Sequence, residues 1–85
     1  MVKLLDFYAD WCGPCQAMEG VIKEIEKELK GKVEVVEINV DKDSTEAAKY
    51  GVMSIPTFVV LKDGKEIGRK IGHTTKAELL KLLNS

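Results

Sequence analysis

The stretch FYADWCGPCQAM, residues 7–18, decides how this chain folds and where its chemistry lies. It contains both cysteines of the sequence, Cys12 and Cys15, separated by Gly13 and Pro14, with the only tryptophan directly before them. The residues before this stretch are mostly apolar, whereas those after it repeat at helical spacing. The pair therefore lies where a strand meets a helix, and it is a structural disulfide, half of a metal site or a redox centre.

Length and composition predict one cytoplasmic domain over residues 1–85 that is a monomer. The chain has 85 residues, 45% of them hydrophobic, and a formal net charge of -1. Such a length suits a single domain, and such a charge gives no reason to expect nucleic acid or a membrane as partner. Lys3 and Asp6 interrupt the N-terminal apolar residues, so we expect neither a signal peptide nor a membrane span. In the cytoplasm a CxxC pair is more often catalytic or metal-binding than structural.

The hydrophobic pattern predicts the element order β-α-β-α-β-β-α. Residues 2–9 and 32–40 are predicted to be strands, because apolar and β-branched residues dominate them. After Pro14, apolar residues at helical spacing indicate a first helix. The remaining elements are a short helix within 41–51, a hairpin over 57–72 that turns at Asp63-Gly64, and a last helix within 74–85 that starts with a Thr75–Glu78 capping box.

This order predicts an α/β fold with a four-stranded mixed sheet and helices on both faces. The first β-α-β unit should be a right-handed crossover between parallel strands, and the last two strands should be antiparallel. The cysteine pair then follows the C-terminal end of the first strand, at the start of the first helix. Open α/β sheets usually place their functional sites at such a point.

Three segments together carry a resemblance to a known family: DFYADWCGPCQ (6–16), SIPTFVVLKDGK (54–65) and IGHTTKAELL (71–80). They resemble the thioredoxin family over essentially the whole chain, which would be a short member. WCGPC followed by a later IPT is specific, whereas a lone CxxC is not. The resemblance implies the thioredoxin-like fold with strand order 2-1-3-4 and exchange with disulfide-containing protein substrates. It also implies re-reduction by a thioredoxin reductase, no cofactor or metal, and a cis Ile55–Pro56 bond.

Dithiol–disulfide exchange needs a thiolate that attacks and a second thiol that resolves the mixed disulfide. Cysteines three residues apart at a helix start lie close enough to bridge, and closing so short a loop stabilises the fold by only about 2 kcal/mol. We assign Cys12, where the helix N-terminus favours a thiolate, as the nucleophile. Cys15, one turn inside, is the resolving thiol. In the alternative, both cysteines are inert core residues, or they bind zinc with help from His73 and carboxylates.

Asp6 lies in the middle of the first predicted strand, where a buried carboxylate is costly unless it is paired or protonated. Taken alone, it can equally face solvent from a half-exposed strand. The resemblance makes it the buried acid that takes a proton from Cys15 during resolution. Glu37 stands where the family usually has a lysine partner for this acid, so we hypothesise that the two carboxylates share one site and that one pKa rises. A shifted alignment or an outward Glu37 is the alternative.

The resemblance also implies a substrate-binding rim around the cysteines. Trp11 is either a core aromatic or a flat apolar surface beside Cys12. Pro56 would pack opposite the cysteines and leave the Ile55 backbone free to pair with an extended substrate. The rim would be completed by Gly13, Pro14, Gly72 and His73, with Met53 either extending it or packing beneath it.

Two other functions stay open on the sequence. A glutaredoxin-like enzyme that uses glutathione fits the short chain, although residues 71–79 lack the Gly-Gly and acidic residues expected at a glutathione site. A noncatalytic module that binds zinc or scaffolds a partner is the other. Insulin reduction, glutathione-coupled turnover and metal content would separate the three functions.

Overall fold

The computed structural model describes residues 1–85, and its strands and helices follow the order predicted from the sequence. The elements are β1 (Val2–Tyr8), α1 (Gly13–Glu28), β2 (Val33–Asn39), α2 (Ser44–Lys49), β3 (Thr57–Lys62), β4 (Lys65–Ile71) and α3 (Lys76–Leu83). Predicted and observed bounds differ by one residue at the ends of the first two strands and the first helix, where assignment of helix and strand ends is least sharp.

All strands belong to one mixed sheet in the order β2-β1-β3-β4, which confirms the predicted order. β1 pairs in parallel with β2 and antiparallel with β3, and β3 pairs antiparallel with β4. A parallel pair needs a long crossover connection, and α1 supplies it. Because β1 has a neighbour on each side and helices above and below, its sequence is an almost continuous apolar run.

The helices cover both faces of the sheet, as predicted. On one face, α1 and α3 pack against the sheet through Leu4, Met18, Ile22, Ile25, Val33, Phe58, Val60, Leu79 and Leu83. On the other face, α2 packs through Ala47 against Leu5, Phe7, Ile38, Val59 and Leu61. Since side chains two residues apart on a strand share a face, Asp6 lies on the α1 side with Leu4, and Glu37 lies there with Val33.

Local capping and turn chemistry explains where several elements begin and end. Asp43 caps α2, because its carboxylate accepts the backbone N–H of Glu46 at 3.1 Å. Asp63 and Gly64 both have positive φ, 53° and 82°, as a tight hairpin turn requires.

The predicted capping box at the start of α3 forms only in half. The Thr75 hydroxyl accepts the Glu78 backbone N–H at 3.2 Å. The Glu78 carboxylate pairs with Lys70 of β4 at 3.4 Å. The reason is that a nearby cation competes with the backbone N–H for that carboxylate.

Gly20, in the interior of α1, offers a test of local stability. A Cβ added at Gly20 would meet no heavy atom within 4 Å. Because glycine disfavours a helix interior relative to alanine, Gly20→Ala should raise the free energy of unfolding in urea by roughly 0.5–1 kcal/mol. Gly51→Ala is the matched control: its Cβ also meets open space, but φ is +65°, so the free energy should fall by about 1 kcal/mol. Equal effects of both substitutions would contradict this account.

Candidate active site

Cys12 and Cys15 form a disulfide across the first turn of α1. Their Cα atoms are 5.2 Å apart, a usual separation for a disulfide. Cys12 is the N-cap of the helix, and Pro14 stands in the first turn, where its missing N–H costs nothing. The Cys12 Sγ accepts a hydrogen bond from the Cys15 backbone N–H at 3.1 Å. The helix start thus directs a donor and the positive end of its dipole at the Cys12 sulfur.

The two cysteines differ in electrostatics and hardly at all in access. Cys12 is 3% exposed and Cys15 is 8% exposed, and both pack with Ala9 beneath Tyr8, Val40 and Ile55. Of the two sulfur atoms, only that of Cys12 accepts a hydrogen bond. This bond therefore distinguishes Cys12 from Cys15.

Trp11 forms part of the surface beside the disulfide, and it is not a core aromatic. Its side chain is 71% exposed, and its indole Nε1 donates a hydrogen bond to Asp41 Oδ2 at 2.8 Å. It forms one wall of a groove, here called the apolar groove, lined by Trp11, Val40, Val52, Met53, Ser54 and Ile55. Met53 is 96% exposed, so it extends this surface and does not pack beneath it.

The Ile55–Pro56 peptide bond is cis, as the resemblance implies. Pro56 is buried, and the Ile55 side chain packs against the cysteine pair. The Pro56 carbonyl accepts the Gly72 backbone N–H at 2.7 Å, which brings Gly72 to this loop. The Ile55 backbone N–H and carbonyl have no hydrogen-bond partner within the chain, so they remain free to pair with an extended peptide.

Three of the predicted rim residues, Gly13, Pro14 and His73, lie exposed on the surface. Gly13 and Pro14 lie between the cysteines at the start of α1 and are exposed. His73 is also exposed, but it makes no hydrogen bond or salt bridge and lines neither cleft beside the disulfide.

A second cleft, of about 360 Å³, lies behind the disulfide on the α1 side of β1. Its lining residues are Asp6, Tyr8, Ala9, Asp10, Cys15, Gln16, Glu19 and Glu37. We call it the acidic cleft, because half of these residues are carboxylic acids. None of those acids takes part in a salt bridge.

Asp6 and Glu37 are direct partners in the register of β1 and β2. The exposed Glu37 side chain borders the same cleft as Asp6, which is only 8% exposed. The pKa of Asp6 is raised to about 7, chiefly because burial disfavours its charged form and further because the Glu37 and Glu19 carboxylates repel it. At this site, two carboxylates face a third that is nearly buried.

Sequence reasoning missed three residues that the fold brings to the site. Glu19 follows Cys15 by four residues, so helical spacing alone places it on the same face of α1. Asp10 directly precedes Trp11. Asp41 reaches Trp11 across 30 residues of sequence, and no local pattern signals that contact.

A helix-capping disulfide beside a cis-proline loop, on this mixed sheet, defines the class of thiol–disulfide oxidoreductases. The family model described as Thioredoxin matches residues 1–85. The chain belongs to the thioredoxin family and is a protein disulfide oxidoreductase.

Individual relatives agree with the family match. The chain is 46% identical to the thioredoxin of Bacillus subtilis (strain 168) over 83 residues, which cover 98% of this chain and 80% of that protein. Among solved structures, it is similar to Fasciola hepatica thioredoxin, with a TM-score of 0.90, 37% identity, and coverage of 98% of this chain and 78% of that one. Oxidized mitochondrial thioredoxin 3 of Saccharomyces cerevisiae gives a TM-score of 0.89 at 35% identity, with coverage of 98% and 76%.

Two further findings concern membranes and metals. None of the helices combines the length and apolar character that a bilayer-spanning segment needs. No three His, Cys, Asp or Glu side chains are grouped so that they could hold one metal ion.

The raised pKa of Asp6 should make the fold less stable as the pH rises. The pKa is about 7 in the folded chain against an ordinary 3.8. Between these values the folded state keeps a proton that the unfolded state has released, so the free energy of unfolding falls with rising pH. Asp6→Asn should remove this fall in the free energy of unfolding, because asparagine has no carboxyl group to titrate. In urea denaturation it should raise the free energy of unfolding by up to about 4 kcal/mol above about pH 8, and change it little below about pH 3.5.

The matched control is Glu26→Gln, which removes an exposed carboxylate from α1 outside the acidic cleft. Its effect on the free energy of unfolding should not depend on pH in this way. A wild-type stability that stays level between the two pH limits would contradict the raised pKa of Asp6.

Proposed function

We propose that this protein reduces disulfides of protein substrates with Cys12 as nucleophile and Cys15 as resolving thiol, and that a thioredoxin reductase then reduces it again in the cytoplasm. The observation that carries the proposal is the hydrogen bond from the Cys15 N–H to the Cys12 Sγ, 3.1 Å long, at the start of α1. In the reduced protein the same donor and the helix dipole would stabilise a thiolate at Cys12.

The reaction passes two electrons to the substrate in two exchange steps. The Cys12 thiolate attacks one sulfur of the substrate disulfide, and the other substrate sulfur leaves as a thiolate. Cys15 then loses its proton, attacks the Cys12 sulfur and releases the second substrate thiolate. The product is the Cys12–Cys15 disulfide, and a reductase returns two electrons and two protons to it.

Asp6 is the proposed acceptor of the Cys15 proton. Asp6 and Cys15 line the same cleft, so the proton has a route from thiol to carboxylate. Since the pKa of Asp6 is raised to about 7, near-neutral pH lets this group both accept and release a proton. Glu37 acts on Asp6 and not on the sulfur, so it is a positioning residue that adjusts proton affinity.

Substrate would dock as an extended segment across the face that contains the disulfide. The free Ile55 backbone offers strand-like hydrogen bonds, and the apolar groove between Trp11 and Met53 takes an apolar side chain. Gly13, Pro14, Pro56, Gly72 and His73 form the proposed rim. We further propose that residues 1–85 act as a single-domain monomer and need no cofactor beyond the two cysteines.

Matched cysteine variants test the assigned roles with insulin as substrate. Cys12→Ser should reduce the rate of insulin reduction to that of dithiothreitol alone, because no nucleophile remains. Cys15→Ser should also stop turnover, but it should accumulate a mixed disulfide between Cys12 and insulin that is visible by mass spectrometry. The wild-type protein with an NADPH-linked thioredoxin reductase should turn over without dithiothreitol.

The same variants identify the wrong assignment. A mixed disulfide through Cys15 in the Cys12→Ser protein would reverse the two roles. Failure of the wild-type protein to reduce insulin, together with glutathione-coupled turnover, would favour the glutaredoxin-like alternative.

A further inference from the structure

The acidic cleft brings together carboxylates from three elements and a loop without any positive charge among them. Asp6 comes from β1, Asp10 from the loop after it, Glu19 from α1 and Glu37 from β2. No lysine, arginine or histidine lines the cleft, and no ion pair neutralises any of the four acids. The proposed reaction uses Asp6 for its proton and Glu37 to adjust the proton affinity of Asp6, and it leaves the presence of Asp10 and Glu19 unexplained.

The burial of Asp6 is a second, independent reason to expect a cationic ligand in this cleft. It is 8% exposed, and its carboxylate makes no hydrogen bond or salt bridge within the chain. Every side-chain nitrogen or oxygen that is fully buried has a partner, so the Asp6 oxygens must still reach the cleft. A carboxylate that is removed from bulk water, yet open to one cleft, gains most from a cation placed in that cleft.

The cleft is also continuous with the site of disulfide exchange. Cys15 lines the cleft, and its side chain also packs with those of Cys12 and Ile55. Because Cys15 is bonded to Cys12, the cleft borders the disulfide that a docked polypeptide has to reach.

We propose that the acidic cleft receives a basic side chain, lysine or arginine, from the disulfide-containing protein that docks at Cys12. The inference rests on the proposed function, because the docked protein is the substrate of that reaction. A long side chain with a terminal cation needs no fixed coordination geometry. A bare metal ion does need one, and the carboxylates are not grouped to supply it.

A cation in the cleft would oppose each influence that holds the proton on Asp6. These influences are burial, the Glu37 carboxylate from β2 and the Glu19 carboxylate from α1. The other titratable groups of the cleft are Asp10, Tyr8 and Cys15, and β3 presents only Phe58 opposite Asp6. Because an adjacent cation favours the charged form of a carboxyl group, a docked basic residue lowers the pKa of Asp6. Docking would thereby shift Asp6 to its charged form, with its own proton released through the cleft to water, and only this charged form can accept the Cys15 proton.

Matched pairs of cyclic disulfide peptides test this inference. Each pair is identical except that one position near a cysteine carries arginine or its neutral isostere citrulline, and the pairs scan successive positions. With the wild-type protein at low salt, kcat/KM should be about tenfold higher for arginine than for citrulline in at least one pair. High salt should shrink that ratio, because ions screen the attraction.

Two double variants test whether the preference for arginine over citrulline depends on the carboxylates of the acidic cleft. Glu19→Gln with Glu37→Gln removes two charges from the acidic cleft, and the arginine-to-citrulline ratio should fall to less than about twofold. Glu26→Gln with Glu34→Gln removes the same charge from the same two elements outside the cleft, and the ratio should persist. Using the ratio within each protein cancels any change in the basal rate.

The outcomes separate this inference from the proposed function. If arginine and citrulline peptides are reduced equally at every position, the basic-side-chain inference fails while the disulfide reductase function stands. If neither peptide of any pair is reduced, the proposed function itself fails. If the preference survives in the cleft variant, the basic side chain binds elsewhere. If magnesium or calcium chloride abolishes it at constant ionic strength, the cleft binds a metal ion, and either result overturns the inference.

Discussion

The mechanism proposed for this protein depends on one contact, the hydrogen bond from the Cys15 N–H to the Cys12 sulfur at the first turn of α1. The contact exists because Cys12 is the N-cap and therefore sits where helix N–H groups lack partners within the helix. The sheet fixes the position of Cys12. β1 lies between β2 and β3, and its C-terminal end is only a few residues from the start of α1. Both cysteines are buried, so in the proposed mechanism this donor is the feature that distinguishes the nucleophile from the resolving thiol.

The same central strand holds Asp6 in a position where burial disfavours its charged form. Asp6 carries its carboxyl group among the buried residues Leu4, Leu5 and Phe7 of β1, and Glu37 is its direct partner on β2. A fold selected for stability alone would place an apolar residue at the nearly buried position 6. A nearly buried acid whose pKa lies close to neutrality, next to a reactive thiol, is a common arrangement where protons move during catalysis. In this protein, three further carboxylates line the cleft around Asp6, and none of the cleft residues carries a positive charge. The proposed basic side chain of the docked protein supplies that charge.

Much of the architecture could be read from the sequence, because its local signals agree with one another. The apolar run of β1, the Asp63-Gly64 turn and the Asp43 cap each specify an element, and the thioredoxin resemblance supplies the strand order and the cis Ile55–Pro56 bond. Contacts between distant residues could not be read in this way. The Trp11–Asp41 bond joins segments 30 residues apart, and the convergence of Asp10, Glu19 and Glu37 depends on how α1 lies over β1 and β2. The half-formed capping box has the same origin, since Lys70 meets Glu78 only in the folded chain.

The central claim, that the helix start makes Cys12 the nucleophile, is tested most directly by competitive alkylation of the reduced protein. With limiting iodoacetamide near neutral pH, peptide mass spectrometry reports the label on each cysteine separately. We expect Cys12 to react at least about tenfold faster than Cys15, and faster than the same cysteine in the urea-unfolded chain, because only the folded helix stabilises its thiolate. Equal labelling of Cys12 and Cys15, or a Cys12 no faster in the folded chain than in the unfolded one, would contradict it.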